Sequence, residues 1–317
     1  MTIVPAFSLL VLGFVLLIKG ADFLVDGASS LALRFRISPL VVGLTIVSFG
    51  TSSPELVVNV LAAVKGSAAI SYGNIIGSNI INILLILGVA SLIRPLLAQR
   101  NTVWREIPFS LMAVFVLFVL CNDQIFAAGN NMLARNDGLI LLLFFVLFIV
   151  YTFGIPKIEI NELPDIKTLS TIKIVLSISA GLLGLFFGGK LVVDNAVTLA
   201  QLFGLSDKVI GLTIIAIGTS LPELFTSAVA AHKNNADIAI GNVVGSNIFN
   251  IFLILGVTAM INPMPFEATL NIDIGVLMLA SLALFISVFA GPAHRISRGE
   301  AGVFLAIYIA YTLFLLL

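Results

Sequence analysis

Residues 43–96 and 211–264 are one segment written twice. At a fixed offset of 168, 30 of the 54 aligned pairs are identical and no gap is needed. Within the repeat, Gly50–Glu55 (G-T-S-S-P-E) returns as Gly218–Glu223 (G-T-S-L-P-E). Gly73–Asn82 (G-N-I-I-G-S-N-I-I-N) returns as Gly241–Asn250 (G-N-V-V-G-S-N-I-F-N). Each copy thus carries one acid, a hydroxyl cluster and an Asn/Ser cluster inside apolar sequence. An ionisable side chain in such a setting is costly unless a function or a partner holds it there.

The setting is a membrane. Hydrophobic residues make up 60% of the chain and charged residues 10%, against about 25% charged in soluble domains. A span needs about 20 mostly apolar residues. Ten stretches qualify: 5–31, 39–64, 71–93, 106–122, 137–154, 173–200, 208–231, 238–261, 270–290 and 300–317. The first contains Lys19, Asp22 and Asp26 and has neither a basic leader nor a small-residue cleavage site, so it reads as a retained helix. Zero formal net charge gives no sign of nucleic-acid binding or of a polybasic lipid anchor. A single cysteine, Cys121, excludes an internal disulfide and a thiolate metal site.

The offset also aligns the first span with the sixth, matching Gly13 to Gly181 and Asp26 to Asp194. The unit is therefore five helices. An odd number of spans puts the second unit in the membrane upside down relative to the first, the inverted-repeat plan of many secondary transporters. The expected fold is an all-α polytopic membrane protein of ten transmembrane helices. Its units are residues 1–154 and 173–317, joined by a cytosolic linker at 155–172, with broken helices 2 and 7 lining a central site. Basic residues in loops set the orientation. Arg34, Arg36, Arg94, Arg100, Arg105, Lys157, Lys167, Lys173, Lys233, Arg295 and Arg298 fall on one side, and only Lys65, Arg135 and Lys208 on the other. The first side is read as cytosolic, in a multi-pass protein of the cytoplasmic membrane with both termini outside.

Pro54 and Pro222 fall inside predicted spans. Each ring removes a backbone hydrogen bond and displaces the carbonyl four residues back, at Gly50 and Gly218. Breaks of this kind survive in hydrocarbon only where they are buried in protein or line a cavity. Thr51, Ser52 and Glu55 lie within a turn or so of the first break, and Thr219, Ser220 and Glu223 of the second. Ser78 with Asn82, and Ser246 with Asn250, lie four apart on one helix face. Oxygen donors with two carboxylates and no His or Cys select hard cations, Ca²⁺ or Na⁺. Two carboxylates about 4 Å apart repel by about 4 kcal/mol at an effective dielectric of about 20. One divalent ion, several monovalent ions or protons must neutralise them, and competition for the pair is a physical basis for antiport. Packing is the other use of the repeated Gly73, Gly77, Gly241 and Gly245. Asp22, Asp26 and Asp194 read as interfacial, Lys19 and Lys190 as snorkelling, His232 and His294 as solvated loop residues, and Trp104 as an interface anchor.

The paired G-T-S-x-P-E and G-N-x-x-G-S-N segments resemble the alpha repeats of the sodium/calcium exchanger family, within the cation/Ca²⁺ antiporter superfamily. The likeness covers essentially the whole chain and is greatest to the compact prokaryotic type. It implies Na⁺/Ca²⁺ exchange by alternating access, with Ca²⁺ held by Glu55, Glu223, Thr51 and Thr219. It further implies Na⁺ positions using both glutamates, Ser52, Ser78, Asn82, Ser220, Ser246 and the backbone carbonyls of Ser48 and Ala216, with Asn250 as an additional candidate. The first and sixth helices are expected to slide as a gate. Some relatives, including potassium-dependent ones, place Asp where this chain has Asn250. With two central carboxylates only, potassium coupling is not expected. Three Na⁺ leave this site at +1 and one Ca²⁺ leaves it neutral, so charge permits electrogenic exchange.

The expected function is thus a secondary antiporter that extrudes Ca²⁺ and carries Na⁺ and Ca²⁺ as substrates without a cofactor, one chain being sufficient. A Ca²⁺/H⁺ antiporter is the alternative, since a carboxylate pair can shuttle protons, although protons need no cage of hydroxyl and amide oxygens. A passive cation channel is more distant, because such pores repeat around a multimer axis or contain rings of acids. No nucleophile pair or His-rich metal motif suggests an enzyme.

Overall fold

The computed structural model describes residues 3–99, 102–126, 130–154, 169–203, 216–290 and 294–316. The helices of the expected spans are α1 (Ile3–Phe35), α2 (Pro39–Thr51), α3 (Ser53–Val64), α4 (Ala68–Ile93), α5 (Trp104–Cys121) and α6 (Arg135–Phe153). They continue with α7 (Thr171–Leu202), α8 (Ala216–Gly218), α9 (Leu221–His232), α10 (Ala236–Ile261), α11 (Asn271–Ala290) and α12 (Arg298–Leu316). Among the described residues eight helices are long and apolar enough to cross a membrane, and the bent pair α2 and α3 makes a ninth. The remaining expected span, the seventh at 208–231, holds α8 and α9, and its residues 208–215 lie outside the described residues. So do residues 155–168 of the expected linker.

Among the described residues the spans are helical as expected, and the connections differ from plain loops. Two two-residue antiparallel ladders tie the connections together: β1 (Leu96–Leu97) with β4 (Arg295–Ile296), and β2 (Met132–Leu133) with β3 (Met264–Pro265). Backbone groups beyond a helix end need partners, and these short ladders supply them. His232 is likewise not in a loop: it ends α9, with its side chain exposed.

Burial separates the helices by role. On α10, every residue from Ile238 to Ile248 is buried, and α4 is nearly as enclosed. In contrast α1, α6, α7 and α12 turn large apolar side chains outward, among them Phe7, Val150, Ile172 and Phe314. A helix apolar all round sits in a core or in lipid, and here the repeated motifs occupy the core. Gly241 and Gly245 let α10 press against α2: a Cβ on Gly241 would lie 2.9 Å from Leu40 O, and one on Gly245 would lie 2.7 Å from Leu44 O. Packing is therefore one role of these two glycines. By the offset, the matching partners of Gly73 and Gly77 fall at 208–212, outside the described residues.

The pairing of α1 with α7 is the most extensive between any two helices among the described residues. Gly13 faces the carbonyl of Gly188 and Gly20 that of Gly181, each carbonyl 2.9 Å from where a Cβ would stand. The contacts are reciprocal: the offset of 168 maps the pair 13/188 onto 181/20, the pattern of a self-complementary two-fold interface.

Ends that the basic-residue count groups together meet one another. On one side Arg34 Nη1 donates to Leu169 O (3.4 Å), Gln99 Nε2 to Asp237 Oδ2 (2.6 Å) and Arg298 Nε to Leu92 O (3.1 Å). On the other, Asn262 Nδ2 donates to Ala63 O (3.2 Å), and Asn122 and Asn271 exchange amide bonds. Lys233, counted among the basic loop residues of that first side, joins α1 to the end of α9: its Nζ lies 2.7 Å from Asp26 and 3.2 Å from Asp22. Lys19 lies 3.8 Å from Asp22 and is mostly exposed. Trp104 is exposed and meets Phe289 edge to face.

Candidate cation site

Pro54 does not interrupt a continuous helix; it opens a new one. The first turn of a helix is where a missing N–H is least harmful. The chain bends by 48° between α2 and α3 at Ser52, whose φ/ψ of −82°/6° is not helical. Ser220, with φ/ψ of −88°/5°, marks the same break before Pro222 and α9. In consequence Glu55 and Glu223 stand in the first turns of α3 and α9. Free N–H groups there carry the positive end of the helix dipole, which favours a carboxylate.

Both acids are 1% exposed. Neither faces the hydrocarbon exterior, and each is electrostatically within reach of the other. Ser78 Oγ donates to Glu55 Oε1 at 3.5 Å, and its offset image Ser246 Oγ donates to Glu223 Oε1 at 3.4 Å. Ser52 Oγ donates to Glu223 Oε1 at 2.9 Å, although it lies three residues before Glu55. The image bond is not made, and Ser220 Oγ has no partner. The site is therefore symmetric in composition and asymmetric in bonding.

Thr51 Oγ1 reaches Asn242 Oδ1 (3.0 Å) and Ser48 O (3.3 Å), and Thr219 Oγ1 reaches Asn74 Oδ1 (3.4 Å). Thr51 also lies beside Glu223, and Thr219 beside Glu55. Of the two backbone candidates, Ser48 O already accepts the Ser52 N–H at 2.9 Å as well as the Thr51 hydroxyl. The carbonyl freed by the proline is that of Gly50, so Ser48 is not a vacant ligand in this state. Ala216 begins α8, and its backbone alone is described.

Asn82 and Asn250 are buried in stretches where α4 and α10 widen into π-helix, at Ile81–Ile86 and Phe249–Leu255. Such turns gather at functional sites. Asn82 Nδ2 donates to Asn247 Oδ1 (2.9 Å), and Asn250 Nδ2 to Asn79 Oδ1 (2.8 Å). Among the predicted site residues, five buried oxygens then remain without a hydrogen-bond partner: Glu55 Oε2, Glu223 Oε2, Ser220 Oγ, Asn82 Oδ1 and Asn250 Oδ1. Leaving such an acceptor empty costs about 1–3 kcal/mol, more when it is charged, and a hard cation is the partner whose chemistry suits carboxylate, hydroxyl and amide oxygens together.

Asn74, Asn79, Asn242 and Asn247 belong to this network and are absent from the residues singled out in the sequence. A signal existed for Asn74 and Asn242. They precede Ser78 and Ser246 by four residues, which puts them on the same face.

The architecture and the buried acids define a multi-pass membrane protein with a polar centre. The family model for sodium/calcium exchanger protein matches residues 5–154 and 173–317. The chain belongs to the sodium/calcium exchanger family. It is 40% identical over 312 residues to the putative antiporter CaxA of Alkalimonas amylolytica, covering 94% of this chain and 95% of that protein. It is 32% identical to the sodium/calcium exchanger MaX1 of Methanosarcina acetivorans, covering 96% and 97%. A solved structure of the sodium-calcium exchanger NCX_Mj, soaked with 10 mM Na⁺ and no Ca²⁺, superposes with a TM-score of 0.84 at 34% identity, covering 98% of each chain.

Proposed function

We propose that this chain exchanges Na⁺ for Ca²⁺ across the cytoplasmic membrane by alternating access and extrudes Ca²⁺ from the cytosol. The observation that carries the reading is the pair of fully buried glutamates, one from each half, each with one oxygen bonded to hydroxyls and the other unpartnered. In this reading Glu55, Glu223, Thr51 and Thr219 surround Ca²⁺. Ser52, Ser78, Asn82, Ser220, Ser246 and Asn250, with the carbonyls of Ser48 and Ala216, serve Na⁺ together with the glutamates. Using the Ser48 carbonyl requires the Thr51 hydroxyl to turn away from it.

The two halves, 1–154 and 173–317, act as inverted five-helix units around this centre, with the segment 155–172 cytosolic and both termini outside. The reciprocal contacts of α1 with α7 and of the two asparagine clusters support that relation. An empty site of charge −2 in a low dielectric is held back from switching sides, and each ion type relieves it in turn. A single chain contains the whole site, so a monomer is sufficient. With neutral Asn82 and Asn250, potassium is not assigned a place.

Flux in vesicles tests the reading. Ca²⁺ uptake is expected to follow an outward Na⁺ gradient with pH clamped on both sides. Uptake that follows only a pH gradient would replace Na⁺ by H⁺ as the counter-ion, and turnover at channel rates would replace exchange by conduction.

Thr51→Ala and Thr219→Ala are expected to lower the apparent Ca²⁺ affinity by about tenfold while keeping measurable exchange. Each removes one neutral oxygen, and a hydrogen-bonding or ligating group facing a charge contributes about 1.5–3 kcal/mol. Initial rates against Ca²⁺ concentration are the measurement; complete loss of exchange in either variant would give threonine the weight assigned to the acids.

A further inference from the structure

The orientation of one buried amide follows from a chain of bonds that begins at the backbone. Asn79 Nδ2 lies 3.3 Å from the main-chain carbonyl of Asn247. A carbonyl only accepts, so Asn79 must turn its NH₂ toward it and its Oδ1 the opposite way. That Oδ1 lies 2.8 Å from the Asn250 amide nitrogen. Asn250 must then spend its NH₂ on Asn79, which leaves its own Oδ1, buried and without a partner, for the site. Asn250 is four residues beyond Ser246, whose hydroxyl bonds Glu223. Both asparagines are buried, Asn79 completely.

We propose that Asn79 is a positioning residue for the cation site: it locks the Asn250 amide with its oxygen facing the ions. The proposal rests on the reading of the site given above. Asn79 itself ligates nothing, since both ends of its amide are used. Without it, Asn250 is free to rotate by 180° and present NH₂, whose positive end repels a cation. Repulsion falls with distance, and Asn250 belongs to the Na⁺ set in that reading, so Na⁺ is weakened more than Ca²⁺.

The test is thermal unfolding of the full chain in detergent, titrated with CaCl₂ or NaCl, which reads binding rather than turnover. In Asn79→Leu the Na⁺ midpoint is expected to rise by roughly tenfold, the scale of a hydrogen bond to a charged group, and the Ca²⁺ midpoint by a smaller factor. The second arm is Asn250→Asp. A carboxylate presents oxygen in either rotation and would face the Asn79 oxygen, so adding Asn79→Leu in that background is expected to leave the midpoints unchanged or lower them.

Equal weakening in both backgrounds means that Asn79 acts only through general packing and overturns the proposal; so does an unchanged Na⁺ midpoint in Asn79→Leu. If Asn79→Leu does not elute as folded protein, Asn79→Ala, which adds no bulk, takes its place under the same criteria. Absence of any ion-dependent stabilisation in the unsubstituted chain is a separate outcome that removes the proposed function itself, and with it this inference.

Discussion

Glu55→Gln and Glu223→Gln are each expected to abolish Ca²⁺ exchange while leaving the protein inserted and folded. Glutamine keeps the shape and one carbonyl oxygen, so the bonds donated by Ser78 to Glu55 and by Ser52 and Ser246 to Glu223 keep an acceptor. What disappears is one of the two buried charges. Ca²⁺ then occupies a site of charge −1 and leaves a net positive charge in a low dielectric, where an unbalanced ion costs several kcal/mol. A loss of that size is several powers of ten in affinity. Vesicle flux for transport and size-exclusion elution for folding are the two measurements, and near-normal Ca²⁺ flux in both variants would remove the glutamates from the centre of the mechanism.

The second large effect is expected at Gly181. A Cβ there would stand 2.6 Å from Leu24 N and 2.9 Å from Gly20 O, backbone that cannot rotate aside. Gly181→Val therefore forces α1 and α7 apart along their glycine seam. Overpacking of this kind costs about 2 kcal/mol, and because the seam is reciprocal, the displacement reaches the Gly13/Gly188 contact as well. The expected result is a lower thermal midpoint together with loss of exchange, since in the proposed mechanism these two helices slide as one gate. Gly275→Val, at a glycine where an added Cβ meets nothing within 4 Å, is the matched control and is expected to retain exchange. Equal behaviour of the two variants would show that close approach at the seam is unimportant.

Much of the architecture is legible before any coordinate. Span positions follow from apolar length, and the duplication follows from identity at one offset. The breaks follow from proline, and the acids stand out because charge in hydrocarbon is costly. These are local rules, in which a residue and its neighbours within about four positions carry the information. They place Glu55 and Glu223 within a turn or so of equivalent breaks, and the structure puts each in the first turn of the helix that follows. The same rules say nothing of the partners of Lys233, because Asp22 and Asp26 lie more than 200 residues away. The Ser48 carbonyl, implied by the family resemblance rather than by these rules, already accepts the Ser52 N–H.

Sequence by itself determined the kind of site: two halves, one carboxylate each, neutral oxygens around them, and a membrane to bury them in. Tertiary structure alone decided which oxygens remain available. Ser52 bonds the acid of the opposite half rather than its own, Ser220 does not return the contact, and Asn79 reaches across to Asn250. Each of these bonds joins residues well over 100 positions apart, and each depends on how two nearly equivalent halves settle against one another. Helical periodicity says which face a donor is on. It carries no information about which of two equivalent acceptors that face will meet.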